Sequence, residues 1–512
     1  MLFRDLVATS RAVGETRSRR EKIEHLAGLL GRLAPDEVRP AVAYLSGLVP
    51  QGKLGVGWAT MSALPRGGDG PGEPLAVGDV DRALGELAAA SGSGSAAVRK
   101  RVLGGLWERA SGAERDLLVR LLTGELRQGA LEGIMAEAVA RAGGADARRV
   151  RRAMMLSGDI AEVARAALAE GEAGLGGFQI ELFRPLLPML AQPAEDVADA
   201  VSRLGEAAFE FKLDGARVQL HKRGDEVRVY SRGLNEVTGS VPELVAAARA
   251  MPARELILDG EAVAVRPDGR AHPFQVTMRR FGRKLDVEAM RAELPLSSWF
   301  FDCLLIDGQD LLDRTTRERT AALAGAVPAD LVIPRLVTGD PAQVEALLEQ
   351  ALAGGHEGLM GKSLEAPYEA GSRGASWLKL KKARTFDLVV LAAEWGSGRR
   401  RGWLSNLHLG ARDPASGGFV MVGKTFKGMT DQILTWQSER LLELETGRDG
   451  HIVWVRPELV VEIAIGDVQE SPHYPGGIAL RFARVKRYRS DKRPDEADTL
   501  ESLRALLAGA GG

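Results

Sequence analysis

The sequence predicts a multidomain chain: an all-α domain over residues 1–178, an α+β domain over 179–385 and a small β-barrel over 386–512. Three observations carry this. At 512 residues the chain is too long for one ordinary core. Apolar residues repeat at three and four in the first third, then give way to short strand-like runs after Phe183-Arg184-Pro185. From about Phe386 onward, strand-like runs surround a single helix-like stretch.

In the first region Ile23, Leu26, Leu30 and Leu33 line one helical face, and Arg115 to Leu122 behaves likewise. The glycine- and serine-rich stretches 66–72 and 91–95 cannot form a core and mark loops. In the middle region strands are expected at Ala208 to Lys212, Arg217 to Lys222 and Glu226 to Ser231, with Arg223-Gly224-Asp225 as a turn. Leu256 to Val265 and Trp299 to Ile306 add strands, and Val241 to Met251 adds a helix. The third region offers strands at Asp387 to Ala393, Phe419 to Thr425 and Leu459 to Ile465 and a helix at Thr430 to Leu442, which with five or so strands suits a barrel. No internal repeat is present.

Composition narrows the class. Hydrophobic residues at 45% and charged residues at 27% are those of a folded protein. No apolar run reaches membrane-spanning length, and Met1-Leu2-Phe3-Arg4-Asp5 lacks a signal-peptide layout, so the expectation is a cytoplasmic protein without a membrane partner. The single cysteine, Cys303, lies in an apolar run and reads as core; it excludes an intrachain disulfide and a multi-cysteine zinc site. Net charge is only -1, yet Lys379-Leu380-Lys381-Lys382, Arg399-Arg400-Arg401 and Arg484 to Arg489 are dense basic clusters. Each alone reads as a solvated face; together they suit a polyanion.

The strongest chemical candidate is Phe209-Glu210-Phe211-Lys212-Leu213-Asp214-Gly215-Ala216-Arg217, a strand delivering a lysine between carboxylates into a turn. A lysine nucleophile begins handicapped, being neutral in about one molecule in 2,500 at pH 7, roughly 4.6 kcal/mol, which cations, burial or a metal must offset. Lys-x-Asp-Gly alone also fits a hairpin turn with a surface lysine.

An ordered series of further segments alters that balance. Lys212-Leu213-Asp214-Gly215, Ser231-Arg232-Gly233, Leu258-Asp259-Gly260-Glu261, Phe300-Phe301-Asp302, Glu357 to Lys362, Trp377 to Lys381, and Arg481 to Arg484 with Arg489 to Lys492 follow one another. The series resembles the covalent nucleotidyltransferase superfamily, and within it the ATP-dependent DNA ligases of archaeal and eukaryotic type. Gly124-Glu125-Leu126-Arg127-Gln128-Gly129 resembles a segment of that family's helical DNA-binding domain, which favours a ligase over an mRNA capping enzyme or an RNA ligase. The three parts then correspond to an all-α DNA-binding domain, an α+β nucleotidyltransferase (adenylation) domain and a β-barrel OB-fold domain.

The resemblance implies that Lys212 attacks ATP and carries AMP. It further implies that Glu210 helps recognise adenine, Arg217 and Arg232 bind the ribose and the nick phosphate, and Phe301 packs beside the nucleotide. Lys379 and Lys381, two apart on a strand, share a face suited to the α-phosphate. Glu261 and Glu357 are the expected Mg2+ (or Mn2+) ligands, with Asp214 assisting; Asp259 reads as a strand-end surface carboxylate. Arg484, Arg489 and Lys492, with Asp491, belong to the last motif, which orients pyrophosphate. The seven histidines lack ligand spacing. Expected partners are nicked double-stranded DNA and ATP, bound by a monomer associated with the nucleoid. Gly361 and Ala483 depart from the family pattern, which has an aliphatic residue and often a proline there. The competing non-enzymatic reading is an end-binding protein that keeps the fold, and the intact Lys212, Glu261, Glu357, Lys379 and Lys381 oppose it.

Overall fold

The computed structural model describes residues 1–511 except 53, 58, 59, 62–72, 127, 130, 131, 267–269, 273, 283–286, 370–374, 382 and 383. The expected loop 66–72, Arg127 and Lys382 therefore lie outside the described residues. The chain divides into two compact units, Met1–Ala351 with Leu359–Leu380, and Leu352–Gly358 with Lys381–Gly512.

The first unit begins with helices Phe3–Glu15, Arg19–Leu30, Val38–Leu45, Val77–Ala89, Ser95–Arg109, Gly112–Leu122, Glu132–Gly143, Ala147–Ser157 and Ile160–Leu175. Several starts are written in the sequence: Ser18 accepts from the Glu21 N–H, Ser111 and Glu114 form a reciprocal capping box, and Asp159 accepts from the Ala161 and Glu162 N–H groups. Each such cap is worth about 1 kcal/mol. The apolar faces, including Phe3, Leu26, Leu30, Leu118 and Met135, close one core. An isolated bridge pairs Leu2 with Ala76.

The segment that follows is fastened to the sheets by polar contacts. The Phe183 N–H donates to His221 Nδ1 at 2.9 Å, the Leu186 N–H donates to Gln219 Oε1 at 2.7 Å, and the Tyr230 hydroxyl donates to the Phe183 carbonyl at 2.8 Å. Burial pushes the His221 imidazole down to about 3, so the ring is neutral and its Nδ1 is free to accept.

Two five-stranded sheets complete the first unit. One runs β1-β10-β9-β2-β8, from β1 (Gln192–Pro193), β2 (Ala207–Lys212), β8 (Arg335–Thr338), β9 (Gly358–Ser363) and β10 (Trp377–Lys381). The other runs β4-β3-β5-β6-β7, from β3 (Ala216–Arg223), β4 (Glu226–Ser231), β5 (Glu255–Ala264), β6 (Leu296–Ile306) and β7 (Gln309–Asp310). Strand alternation decides what each face carries. Ala207, Phe209, Leu359, Leu378 and Leu380 enter a core with Val197, Ala200 and Val344 of helices Val197–Leu204 and Pro341–Ala353. By parity, Glu210, Lys212, Lys362, Trp377 and Lys379 project from the opposite face. Gly361 lies on the core side, where an added Cβ would stand 3.0 Å from Leu204 Cδ1 and from Phe209 Cε1, so glycine replaces the usual aliphatic residue because Phe209 fills the space.

The second unit is built on β11 (Arg384–Trp395), β12 (Leu404–Asp413), β13 (Gly418–Thr425), β14 (Glu445–Asp449), β15 (Ile452–Val455), β16 (Val460–Ile465) and β19 (Arg484–Tyr488) in one seven-stranded sheet, with β17 (Asp467–Glu470) and β18 (Ile478–Arg481) as a separate pair. The long β11 pairs with β16 through its first half and with β15 through Ala392–Glu394, and register shifts after Val390 and Glu394 bend it. This is more than the expected five strands and one helix. Besides Asp431–Glu443 there is a helix Leu500–Gly511, whose Leu500 and Leu503 join the core.

Candidate active site

Lys212 ends β2 and enters a turn whose geometry differs from an ordinary hairpin. Gly215 does not adopt positive φ; it is required because a Cβ there would stand 2.5 Å from the Ala262 carbonyl oxygen and 2.9 Å from Glu261 Cγ. The glycine thus lets the turn after Lys212 close against β5 at Glu261. Asp214 Oδ2 accepts the Phe274 N–H at 3.0 Å, capping helix Phe274–Gly282 at its positive end. Gly260 is also a close-approach residue, 2.7 Å from Phe300 Cδ1 if given a Cβ.

Two residues before Lys212, Glu210 is 1% exposed and carries two cations. Arg335, directly opposite in the β2–β8 register, places Nε 2.7 Å from Oε1 and also directs Nη2 to Oε1. Lys362 Nζ is 2.6 Å from Oε2. Both cations also reach the carbonyl of Phe301, Arg335 Nη2 at 3.2 Å and Lys362 Nζ at 3.4 Å. The Lys362 ammonium lies 4.4 Å from the Phe301 ring centre and 4.5 Å from that of Trp377, and the two rings meet edge to face. Burial pushes Lys362 below the ordinary lysine range, and Glu210 opposes the shift.

Phe301 is not an ordinary core residue: its neighbour Phe300 is fully buried on the other side of β6, whereas Phe301 faces this charged aromatic group. Asp259 corrects the surface reading, for it is 1% exposed. It receives Arg217 as a fork, Nε–Oδ1 3.0 Å and Nη2–Oδ2 2.6 Å, and the Tyr368 hydroxyl at 2.8 Å. The Arg217 guanidinium also donates to the Met189 carbonyl at 2.7 Å and lies 5.5 Å from the Phe301 ring centre. Burial and Asp259 raise the Tyr368 phenol well above its usual range, so it remains a donor. Arg335 and Tyr368 were not legible in the motifs, and Lys362 and Trp377 stood in motifs without a role. Arg335 shows in the sequence only as a lone arginine opening the short run Arg335–Thr338 and Trp377 as an aromatic two residues before Lys379, while Tyr368, between Pro367 and Glu369, carries no such signal.

The other candidates are distributed as follows. Arg232 is exposed just beyond β4. Glu261 lies on β5 opposite Arg217 on β3 and Trp299 on β6. Lys379 is on β10, and Lys381 Nζ pairs with Glu357 Oε2 at 2.6 Å. In the second unit, Arg489 and Lys492 converge on Asp387 Oδ2 at 2.9 and 2.7 Å, and Arg489 also grips Asp491, while Arg484 opens β19 in an exposed position. Among the described residues no three His, Cys, Asp or Glu side chains gather as a metal site. Single carboxylates such as Glu261 are hard oxygen donors that fit Mg2+, an ion that takes one or two protein carboxylates and fills its shell with phosphate and water. Among the described residues no helix is long and apolar enough to cross a membrane.

Comparison with known proteins agrees in order along the chain. Residues 62–140 match the DNA ligase N terminus, 188–381 the ATP dependent DNA ligase domain and 400–492 the ATP dependent DNA ligase C terminal region. A relative named "Probable DNA ligase" from Anaeromyxobacter dehalogenans (strain 2CP-C) is 60% identical, covering 99% of this chain and 100% of its own. Another of the same name, from Sorangium cellulosum (strain So ce56), is 57% identical over 100% of this chain and 96% of its own. The solved structure titled "Pmar-Lig_PreS3" covers 94% of this chain and 99% of its own at a TM-score of 0.62 and 18% identity, a likeness of fold. With three ligase regions matched in sequence and full-length relatives at this identity, the chain belongs to the ATP-dependent DNA ligases, whose activity is the sealing of nicks in DNA.

Proposed function

We propose that Lys212 is the nucleophile of this ligase and that the face of the first sheet carrying Glu210, Lys362, Trp377 and Lys379 binds the nucleotide. The observation that carries the reading is the placement of Lys212 at the end of β2, two residues beyond a buried, doubly paired carboxylate and in a turn closed on Glu261. The Lys212 amine attacks the α-phosphate of ATP, a lysyl phosphoramidate forms, and pyrophosphate leaves. AMP then passes to the 5'-phosphate at a nick, restoring the lysine, and the 3'-hydroxyl attacks that phosphate and expels AMP.

Glu210 reads adenine, Phe301 supports the nucleotide, Arg217 and Arg232 contact ribose and nick phosphate, and Lys379 and Lys381 meet the α-phosphate. Arg484, Arg489 and Lys492 orient pyrophosphate during the first step. Glu261 and Glu357, with Asp214 as a third candidate, hold Mg2+ or Mn2+, which when bound neutralises charge gathering on the phosphate oxygens. An all-α DNA-binding domain over 1–178, an adenylation domain over 179–385 and an OB-fold domain over 386–512 divide the work. The protein acts as a cytoplasmic, nucleoid-associated monomer. Incubation with α-labelled ATP and magnesium, then denaturing electrophoresis, tests the nucleophile: label stays on the wild type and is absent from Lys212→Ala, and equal labelling of both would overturn the assignment.

A further inference from the structure

Arg335 belongs to none of the segments that identified the family, yet it ties together Glu210 and Phe301, the two residues that the proposed function sets against the base. It sits opposite Glu210 in strand register, puts two guanidinium nitrogens on Oε1, and donates through Nη2 to the Phe301 carbonyl at 3.2 Å. The Glu210 carboxylate and the Phe301 backbone are thereby joined through one planar, always charged group, and a second time through Lys362. Lys362 occupies the other oxygen, Oε2, at 2.6 Å. A carboxylate has about four lone-pair sites, and with Arg335 and Lys362 taking three the remaining one lies on Oε2. Arg335 and Lys362 are donors only, so every contact they make with Glu210 is one the carboxylate accepts. A base edge meeting it must bring a donor. The 6-amino group of adenine does; a 6-oxo purine presents an acceptor and is repelled, and a purine without a 6-substituent offers nothing.

We propose that Arg335 is a positioning residue that sets the base selectivity of the ligase, by holding Glu210 as an acceptor-only reader at a fixed distance from Phe301. This rests on Glu210 and Phe301 being the base-facing residues. It does not require Arg335 to touch the nucleotide.

The test is self-nucleotidylation of the full chain with ATP, inosine triphosphate and purine riboside triphosphate, the last carrying hydrogen at position 6, for the wild type, Arg335→Met, Arg335→Lys and Glu210→Ala. The quantity read is the ratio of kcat/KM between nucleotides, which a loss of folded protein leaves unchanged. The wild type should favour ATP over the purine analogue roughly 10- to 100-fold, the discrimination expected of a hydrogen bond to a charged group. Arg335→Met should reduce that ratio to within about threefold and Arg335→Lys should fall between, because a point charge keeps the ion pair but loses the fork and the tie to Phe301. If Arg335→Met yields no folded protein, Arg335→Lys alone decides, and a wild-type ratio in it overturns the proposal. Wild-type ratios in both arginine variants, with a flattened ratio in Glu210→Ala, overturn the role of Arg335 and leave Glu210 as reader. A wild-type ratio in Glu210→Ala removes the reading on which the proposal stands, and the proposal with it.

Discussion

Glu210 in the first unit and Asp387 in the second each hold two cations, and their surroundings differ. Glu210 is sealed in, its side chain 2% exposed, with Lys362 at 1% and Arg335 at 15%. Asp387 is 8% exposed, but its partner Lys492 is open at 32%, and Arg489 is shared with Asp491, which is 61% exposed. Buried charges depend on each other, because removing one strands the others away from water. Arg489 is as covered as Arg335, at 15%, so the difference lies in Lys492, which can fall back on solvent, and in the second partner of Arg489. The first cluster is therefore closed to water on both sides of its carboxylate, and the second is open at Lys492 and at Asp491.

Breaking each cluster in turn measures that difference. Glu210→Ala leaves Lys362 and the Arg335 head uncompensated and should lower the unfolding free energy by about 3–5 kcal/mol, read by urea denaturation; a loss below about 1 kcal/mol would mean that water reaches the site. Lys492→Ala should slow self-adenylation on the order of tenfold or more while sealing of pre-adenylated nicks changes little. Equal losses in both steps would show that the Asp387 cluster holds structure and does not act in the first step.

Acidification probes a third buried polar contact, on the side of the first unit. The unfolded His221 takes up a proton near pH 6.5, whereas burial delays this to about 3 in the folded chain. The unfolded state binds more protons in that window, so this contribution to stability is full above about 6.5 and falls with pH, by up to about 1.4 kcal/mol per unit. Denaturation at pH 7 and 5.5 should show a shallower loss in His221→Asn, which keeps an acceptor for the Phe183 N–H. The smallest effect belongs to Asp387→Asn, about 1 kcal/mol or less in the same assay. A cost near that of Glu210→Ala would erase the contrast between the clusters.

Much of the local structure was legible in the sequence. Strand β4 falls at Glu226–Ser231 as expected, and β2, β3 and β5 within a residue at each end, because short strand-forming runs bounded by turn residues are a local signal. Strand β12 was not among the expected strands although Leu407, Leu409 and Ala411 alternate with Asn406, His408 and Arg412; in the structure β11 and β13 pair with it along its length. Cys303 is buried as read. The second-unit core needed the helix Leu500–Gly511, which no expected barrel element included.

For the site, the resemblance carried by the ordered motifs pointed to Lys212, Glu210, Phe301 and Lys379, and the period of two along β2 puts Glu210 and Lys212 on one face of that strand. Which charge neutralises which was decided only by the tertiary structure. Asp259 looked like a surface group and is locked to Arg217 and Tyr368; Arg335 looked like nothing and sits on Glu210. The reason is physical. Side-chain parity along a strand is set by the backbone period of two and can be read locally, whereas an ion pair across a sheet depends on which distant strands pair and in what register, information held by the packing of the whole core.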